Sequence, residues 1–366
     1  MEIIIDRSKI LPVLQVVNGV VERRQPLPIL ANILFSANET GIQVTASDME
    51  VELIAGLKQK TTGKIETTLP ARKLLDICRA LPDGAVLRIN VNGDRAQVLS
   101  GKSRFTLSTL PAHEYPLIEM LAPTAEFTIT QTVFKDLLEK TAFSMAQQDV
   151  RYYLNGLLLE ISQTNIRAVA TDGHRLALYD VENATGAKEK VQIIVPRKAV
   201  MELIRLLESK DEDVHIQVSN NHIRAIFSET VFTSKLIDGK FPDYDRVIPE
   251  LSKTMVVADR ELLKQSLTRA SILSNEKYRG VRILLSKGKL RALAHNPEQE
   301  EAEEEVDVEY DGQELEIGFN VSYLLDALGI IKTKQVRITI KDPNSSCLLL
   351  PEQDEKCKYV VMPMRL

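Results

Sequence analysis

The chain repeats one order of predicted elements three times along its 366 residues, and this repeat limits the possible folds more than any single motif. Each repeat opens with a short apolar strand, at residues 3–5, 127–129 or 255–257, and a helix with Ser8, Thr132 or Asp259 as its predicted N-cap. Another apolar strand follows at 29–35, 154–161 or 281–285. A second helix then precedes alternating hairpins at 86–110, 214–236 or 336–362. A period of roughly 120 residues is a normal domain size, so we expect three similar α+β domains.

The predicted domain boundaries lie near Pro123 and Pro249, which gives domains at 1–122, 123–249 and 250–366. Six helices are predicted, at 7–20, 71–81, 132–146, 196–207, 259–274 and 321–334. The pairs Asn92-Gly93 and Asn220-Asn221 are predicted to form two of the hairpin turns. Each domain should therefore contain two helices and two groups of strands.

Charge is distributed unevenly between the helices and the rest of the chain. The formal net charge of −5 alone argues against a nucleic-acid-binding protein. The six predicted helices, however, hold 15 Lys and Arg against 7 Asp and Glu, which leaves −13 on the remainder. If the helices share one surface, that surface is basic and suits the phosphate backbone of DNA; the alternative is that these cations only solvate amphipathic helices. The candidate DNA-contacting residues on the helices are Arg72, Arg79, Arg197, Lys198 and Arg205.

The cysteines and the amino terminus indicate a compartment. Cys78, Cys347 and Cys357 are scattered and form no CxxC pair, so we expect neither a disulfide framework nor a zinc site. The amino terminus lacks the basic-then-apolar order of a secretory signal, and charged residues interrupt every long apolar stretch. A cytoplasmic protein with no membrane partner is expected.

Seven long stretches extend in order over the chain: QDVRYYLNG at 148–156, ATDGHRL at 170–176, FPDY at 241–244, SILSNEK at 271–277, NPEQEEAEE at 296–304, GFNVSY at 318–323 and YVVMPMRL at 359–366. Together they closely resemble the bacterial DNA sliding clamps, the family of DNA polymerase III beta subunits. The resemblance implies three domains of the clamp fold, with helices lining a central hole and sheets outside, in a ring-shaped homodimer closed head to tail around duplex DNA. Such a processivity factor is not an enzyme, needs no cofactor or metal and reads no base sequence. Its implied partners are the DNA polymerase III catalytic subunit, the clamp loader, and other polymerases and repair proteins that carry clamp-binding motifs.

The resemblance also implies a cleft, between the second and third domains, that accepts short peptide motifs. Aliphatic, Met and Pro side chains would form an adaptable apolar groove, and Arg and His would anchor polar ends of the peptide. Pro343, Asn344 and Tyr278 depart from the family pattern and put the fine specificity of the cleft in question. The implied lining is Leu154, Thr171, Gly173, His174, Arg175, Leu176, Pro242, Arg246, Val247, Tyr278, Asn320, Tyr323, Ser346, Val360, Met362, Pro363, Met364 and Arg365.

Two further sets of residues follow from the resemblance. DNA-contacting loop positions are Arg24, Gln148, Tyr152 and Tyr153, where the arginine could pair with phosphate and the tyrosines could pack on sugar or bases. A subunit interface would join the first domain to the third, and its basic and acidic edges should satisfy each other only in trans. The implied contacts are Lys73, Lys102, Arg104, Phe105 and Leu107 on the first domain and Ile272, Leu273, Glu300, Glu303 and Glu304 on the third.

Two other functional classes remain as alternatives. Asp172 and His174 could suggest a hydrolase, although neither a GxSxG elbow nor an HExxH helix accompanies them. A phosphate loop at Gly101-Lys102-Ser103 fails because Ala96 stands where its first glycine is required. A sequence-specific DNA-binding regulator would need a recognition element, and no compact helix-turn-helix pattern is present.

Overall fold

The computed structural model describes residues 2–22, 27–59, 61, 63–119, 122–251 and 255–365. Within these residues the chain passes three times through one strand, a helix, four strands, a second helix and three strands. The three-domain α+β organisation predicted from the repeat is therefore confirmed.

Two α-helices occur in each repeat: α1 (Arg7–Val17), α2 (Ala71–Ala80), α3 (Gln131–Ala142), α4 (Arg197–Leu206), α5 (Arg260–Ser271) and α6 (Val321–Ile330). Strands of the first repeat are β1 (Glu2–Asp6), β2 (Asn32–Asn38), β3 (Gly41–Ser47), β4 (Val51–Leu57), β5 (Ile65–Pro70), β6 (Val86–Asn92), β7 (Arg95–Ser100) and β8 (Ser103–Ser108). Strands of the second are β9 (Ala125–Thr130), β10 (Gly156–Ile161), β11 (Asn165–Thr171), β12 (Arg175–Glu182), β13 (Val191–Pro196), β14 (Asp213–Val218), β15 (His222–Phe227) and β16 (Thr230–Lys235). Strands of the third are β17 (Val256–Asp259), β18 (Gly280–Ser286), β19 (Lys289–His295), β20 (Glu301–Asp307), β21 (Leu315–Asn320), β22 (Gln335–Thr339), β23 (Cys347–Pro351) and β24 (Cys357–Val361).

The predicted helix N-caps are right for one repeat and wrong for two. The carboxylate of Asp259 accepts the backbone N–H groups of Glu261 and Leu262 and so caps α5. Ser8 and Thr132 instead lie inside α1 and α3, because each helix begins directly where the preceding strand ends. Every predicted helix also extends past its observed carboxyl end, since the apolar pattern continues into residues that pack without helical geometry.

Four antiparallel sheets organise the strands. Pairing of β4 with β16 makes an eight-stranded sheet in the order β5-β2-β3-β4-β16-β15-β14-β9. Pairing of β12 with β24 makes a second, in the order β13-β10-β11-β12-β24-β23-β22-β17. The remaining strands form two four-stranded sheets, β1-β6-β7-β8 and β20-β19-β18-β21. Each repeat has eight strands, so β8 corresponds in position to β16 and β24, and β20 corresponds to β4 and β12. Those counterparts pair with each other, whereas β8 and β20 are edge strands of their described sheets.

The chain divides into two compact units, and the division runs through the second repeat. One unit comprises Met1–Phe134, Thr185–Ala187 and Met201–Leu236, and the other comprises Lys135–Ala184, Lys188–Val200 and Ile237–Leu366. Each eight-stranded sheet combines strands of two repeats, and extensive strand pairing creates a compact body. The predicted boundaries near Pro123 and Pro249 therefore remain predictions about the repeats.

Arginines at the start of a first helix hold the end of the second helix in two repeats. The Arg7 guanidinium donates to the carbonyl of Cys78 at 2.7 Å, and that of Arg260 donates to the carbonyl of Leu328 at 3.2 Å. Both bonds satisfy carbonyls that a helix leaves without an intrahelical partner. The six helices, within their observed bounds, carry 13 Lys and Arg against 6 Asp and Glu. Two of these 13 cations, Arg7 and Arg260, therefore stabilise the fold.

Apolar cores lie beneath the sheets. In the second unit, Leu158, Val169, Leu178, Leu348 and Val360 belong to one cluster whose side chains come from both repeats of the eight-stranded sheet. β10 and β23 are buried along their whole length, as expected for central strands covered on both faces. Among the described residues, no helix combines the length and apolar character needed to cross a membrane.

Candidate functional site

A cleft of about 160 Å³ lies in the second compact unit, where β11 and β24 end and β12 begins. Four segments form it: the residues at 151–154 before β10, the turn between β11 and β12, the segment at 242–247, and the chain leaving β24. Its lining residues are Arg151, Leu154, Thr171, Gly173, Arg175, Leu176, Pro242, Asp243, Tyr244, Val247, Val360 and Met362.

The floor of the cleft is apolar. Leu154, Leu176 and Val360 are buried and belong to the core cluster of this unit, and Val247 packs partly buried against the same cluster. Burying an apolar side chain of a ligand against such a floor contributes about 1.5–3 kcal/mol. The site is therefore suited to a ligand with aliphatic or aromatic groups.

The turn between β11 and β12 has a fixed backbone. The Asp172 carboxylate accepts the N–H groups of His174 at 2.9 Å and Arg175 at 3.0 Å. Gly173 has φ +88°, and a Cβ there would lie 3.0 Å from the guanidinium of Arg151. Glycine is needed for both reasons, and the turn lets Arg151 reach the cleft.

Arg175 is the most constrained charge in the cleft. Its guanidinium pairs with Asp172 at 3.1 Å and with Asp326, donates to the carbonyl of Phe143 at 2.8 Å, and lies 4.7 Å from the ring centroid of Tyr323. A cation held by two carboxylates and stacked on an aromatic face keeps one orientation. It can therefore offer a fixed edge to a bound peptide.

The opposite wall, at 242–247, is held by a polar network. The Tyr244 hydroxyl donates to the carboxylate of Glu160 at 2.7 Å, and Arg167 donates to the Tyr244 oxygen at 3.2 Å. Arg167 also binds the Asp180 carboxylate at 2.7 and 2.9 Å, and this pairing raises the pKa of its guanidinium. Burial raises the pKa of the Tyr244 hydroxyl, so it remains a donor at neutral pH. The wall thus depends on residues of β10, β11 and β12 beneath it.

Half of the predicted cleft residues line this space, namely Leu154, Thr171, Gly173, Arg175, Leu176, Pro242, Val247, Val360 and Met362. Three more adjoin them: His174 and Tyr323 stack with ring centroids 6.4 Å apart, and Ser346 donates to the carbonyl of Val247 at 3.3 Å. The other predicted residues do not line it: Arg246 pairs with Asp243, Asn320 caps α6, Met364 donates to the carbonyl of Gly318, and Tyr278, Pro363 and Arg365 lie outside. Sequence reasoning missed Arg151, Asp243 and Tyr244, although all three lie within or beside the stretches that carry the resemblance.

The candidate DNA-contacting residues are mostly on the surface. Gln148 and Tyr152 are exposed, and Tyr153 is half-buried with its ring 5.7 Å from that of Tyr152. Three helical cations bind backbone carbonyls instead of standing free: Arg72 that of Val21, Arg197 that of Met145 and Arg205 that of Val16. Arg79 is exposed, Lys198 is half-buried and Arg24 lies outside the described residues.

The candidate interface residues occupy the two edge strands and their surroundings. Lys102, Arg104, Phe105 and Leu107 lie on or beside β8, where a depression of about 730 Å³ contains both cations; Lys73 is exposed on α2. Ile272 is 74% exposed, Leu273 is half-buried, and Glu300 binds the Asn296 side chain. Two residues of the acidic edge also have partners within the third domain itself. Glu303 pairs with Arg291 at 3.2 Å and Glu304 with Arg269 at 2.6 Å in the same chain, because neighbouring strand and helix positions supply these arginines.

No acid–base pair forms at Asp172 and His174, because the Asp172 carboxylate is occupied by backbone N–H groups and by Arg175. Burial raises the pKa of the Cys78 thiol to about 11 and that of Cys357 to about 12, so neither is a ready nucleophile. The described part of the chain also contains no group of three metal-ligating side chains. The hydrolase alternative loses its geometric basis.

Tandem domains of one kind, joined by continuous antiparallel sheets and bearing an apolar cleft with a fixed cation, define a scaffold suited to binding. Family models for the N-terminal, central and C-terminal domains of the DNA polymerase III beta subunit match residues 1–119, 128–243 and 245–365. The chain therefore belongs to the DNA polymerase III beta subunit family.

Relatives and solved structures agree. The beta sliding clamps of Pseudomonas aeruginosa and Escherichia coli are 51% and 46% identical to this chain, over the full length of both proteins in each comparison. A crystal structure of the P. aeruginosa sliding clamp bound to griselimycin has a TM-score of 0.97 at 51% identity, with full coverage of both chains. The sliding clamp from Caulobacter crescentus has a TM-score of 0.94 at 38% identity, again with full coverage.

Proposed function

We propose that this protein is a sliding clamp that encircles duplex DNA as a head-to-tail homodimer and tethers replication and repair proteins to it. The observation that carries the proposal is the pair of edge strands β8 and β20. Their counterparts in the repeat pair twice within the chain, as β16 with β4 and as β24 with β12. A third junction of the same kind would have to join β8 of one subunit to β20 of another, and a head-to-tail interface that closes gives a ring.

Apolar side chains beside these strands support the same interface. On the third domain, Ile272 is highly exposed and Leu273 lies next to it. On the first domain, Phe105 and Leu107 follow the basic residues Lys102 and Arg104 in the sequence. Because Glu303 and Glu304 already have intrachain partners, apolar contact and strand pairing would contribute most of the association energy, and charge would mainly set orientation. Two subunits is the number we propose.

The excess of Lys and Arg on the helices supports contact with the DNA backbone. Several of these cations are bound to backbone carbonyls or neighbouring carboxylates, so each would contribute little affinity of its own. Retention on DNA would then be topological, and the affinity of unloaded protein for DNA would be weak and salt-sensitive. Arg24, Arg79, Gln148 and Tyr152 are our candidates for direct contacts.

The cleft would receive short peptide motifs from the polymerase III catalytic subunit, the clamp loader and other partners. The apolar floor fits aliphatic or aromatic side chains, and Arg175 and Arg151 lie at its polar end. We place the protein in the cytoplasm, where chromosomal DNA and these partners occur. The three buried, unpaired cysteines fit a reducing compartment.

Loading the protein onto nicked circular DNA with a bacterial clamp loader tests the central proposal. Cutting the circle should release the protein within the time needed to slide off an end, whereas protein on uncut circles should persist. A control circle whose cut ends carry bulky protein blocks should retain the clamp. Equal retention on open and closed DNA would mean that affinity, not topology, holds the protein.

A further inference from the structure

A second pocket, of about 210 Å³, lies in the first compact unit. It occupies the place in the first repeat that the cleft occupies in the second, at the ends of β3 and β16. We call it the first-repeat pocket. Its lining residues are Ser47, Met49, Pro116, Leu117, Ile118, Glu119, His222 and Lys235.

The turns that enter the two sites match atom by atom. The Asp48 carboxylate accepts the N–H groups two and three residues further on at 2.9 and 2.6 Å, and Asp172 does the same at 2.9 and 3.0 Å. The residue before each aspartate places its hydroxyl oxygen 3.1 Å from the N–H of the residue after it, which is Met49 in one turn and Gly173 in the other.

The strands that leave the two sites match as well. The N–H of Lys235, at the end of β16, donates to the carbonyl of Glu50 at 2.9 Å. The N–H of Met362, just after β24, donates to the carbonyl of His174 at the same distance. The first-repeat pocket therefore has the backbone frame of the cleft but different side chains.

Met49 is the side chain that most alters the frame. Its φ of +73° lies in the left-handed region, where its counterpart Gly173 lies at +88° without cost. A residue with a side chain in this region is strained, and such strain is often kept where the side chain has a role. Met49 is partly exposed and Leu117 is 56% exposed, so two flexible or aliphatic side chains stand open at this pocket.

The polar groups of the pocket favour an uncharged hydrogen-bonding ligand. The Lys235 ammonium lies 3.4 Å from the Glu50 carboxylate, and Glu119 adds another negative charge to the lining. His222 is only 6% exposed and its ring nitrogens have no hydrogen-bond partner among the described residues. Burial, together with Lys235 and Arg224, lowers the pKa of His222, so its ring is neutral at pH 7.

We propose that the first-repeat pocket is a second peptide-docking site, which takes a short extended segment with aliphatic side chains. The occupant would place an aliphatic group between Met49 and Leu117 and its backbone along the strand end at Lys235. This inference rests on the proposed binding of peptides in the cleft, because it assumes that the same backbone arrangement binds the same kind of ligand. A partner with two such segments could hold the clamp at both sites.

Methionine-methyl NMR on the full-length protein tests this, because each site contains its own reporter, Met49 or Met362. Griselimycin is first added to saturation and should shift the Met362 signal. A pentapeptide in which leucine alternates with serine, acetylated and amidated, is then titrated in. The expected result is a saturable shift of the Met49 signal, assigned by Met49→Leu, while the cleft remains occupied.

Leu117→Ser should weaken the Met49 response at least fivefold, and Leu262→Ser, at a residue of matched exposure (57%), should leave it unchanged. A Met49 signal that stays fixed while Met362 responds to griselimycin would overturn the proposal and leave the cleft intact. An unchanged response in Leu117→Ser would also overturn it. A Met49 response without any Met362 response would support the second site and remove the cleft from the proposed function.

Discussion

At the scale of single residues, Arg175 shows how a surface cation becomes part of a binding site. Two carboxylates, a carbonyl and the Tyr323 ring fix its guanidinium, so a ligand would meet an oriented donor edge without paying to order it. A lysine keeps the charge but loses the planar fork and the stacking.

Arg175→Lys should lower the affinity for a short peptide that carries a clamp-binding motif about tenfold, which corresponds to roughly 1.4 kcal/mol. Calorimetry on the two proteins measures this. Arg246→Lys is the matched control, because Arg246 is exposed, pairs only with Asp243 among the described residues and lies outside the cleft lining. Equal losses in both variants would show that the fixed geometry of Arg175 is not what the ligand requires.

Glu52 gives a residue-scale prediction about pH. Burial raises the pKa of this carboxyl, although the N–H of Ile118, at 2.9 Å, and Arg224 act to lower it. A carboxyl whose pKa is higher in the folded state costs stability as the pH rises above its unfolded value near 4.5. Glu52→Gln keeps an acceptor for Ile118 and removes that cost. Urea unfolding at pH 5 and pH 8 should show the variant gaining on the parent protein as the pH rises, and a gain confined to pH 5 would refute the assignment.

At the scale of elements, the segment at 242–247 has no helix or strand of its own except a single 3-10 turn, Asp245–Val247, and relies on the sheet beneath it. The Tyr244 hydroxyl connects the segment to Glu160 on β10 and Arg167 on β11. Removing one partner of a buried hydrogen bond costs about 1–3 kcal/mol, because the remaining group stays desolvated.

Tyr244→Phe should therefore destabilise the protein by about 1–2 kcal/mol and weaken binding of the same clamp-binding peptide several-fold, since Pro242 and Val247 lose their support. Thermal unfolding and calorimetry measure the two effects. Tyr310→Phe removes a hydroxyl of the same unit that, among the described residues, binds only the carbonyl of Gln313, and it should leave peptide binding unchanged. Unaltered binding in Tyr244→Phe would exclude the network as a support for the wall.

Sequence patterns predicted the elements and their order better than their ends. Apolar periodicity located all six helices, because each buries one face, but it could not distinguish the last helical turn from a packed loop. The Asp259 cap was predictable because a short polar side chain directly precedes its helix, whereas Ser8 and Thr132 lie two residues past the N-cap positions of α1 and α3. The Tyr244 network could not be predicted, since it joins residues up to 84 positions apart that only the strand register brings together.

At the scale of the whole molecule, each subunit would take part in three kinds of strand junction between repeats. Two of them, β4 with β16 and β12 with β24, lie within one chain, and the third, β8 with β20, would lie between chains. The two internal junctions are held by covalent connection, so only the junction of β8 with β20 depends on concentration. Any opening of a ring under mild conditions should therefore occur there.

Ile272→Ala combined with Leu273→Ala should raise the dimer dissociation constant about a hundredfold, as expected for a few kcal/mol lost at central apolar contacts. Sedimentation at micromolar and nanomolar concentrations measures the shift. Leu262→Ala, an exposed leucine on α5, is the control and should sediment as the parent protein does. A double variant that stays fully dimeric at all concentrations would place the interface elsewhere.

The sharing of a sheet between β4 and β16 also has a consequence for synthesis on the ribosome. β4 ends at Leu57 and β16 begins at Thr230, so the 172 residues between them must be translated before the partner of β4 appears. At bacterial and eukaryotic elongation rates of 5–20 residues per second, the nascent chain carries an open strand edge for roughly 10–35 s. Such an edge can pair with another nascent chain on the same messenger RNA. Widely spaced ribosomes or an early-binding chaperone would therefore raise the yield of correctly folded protein.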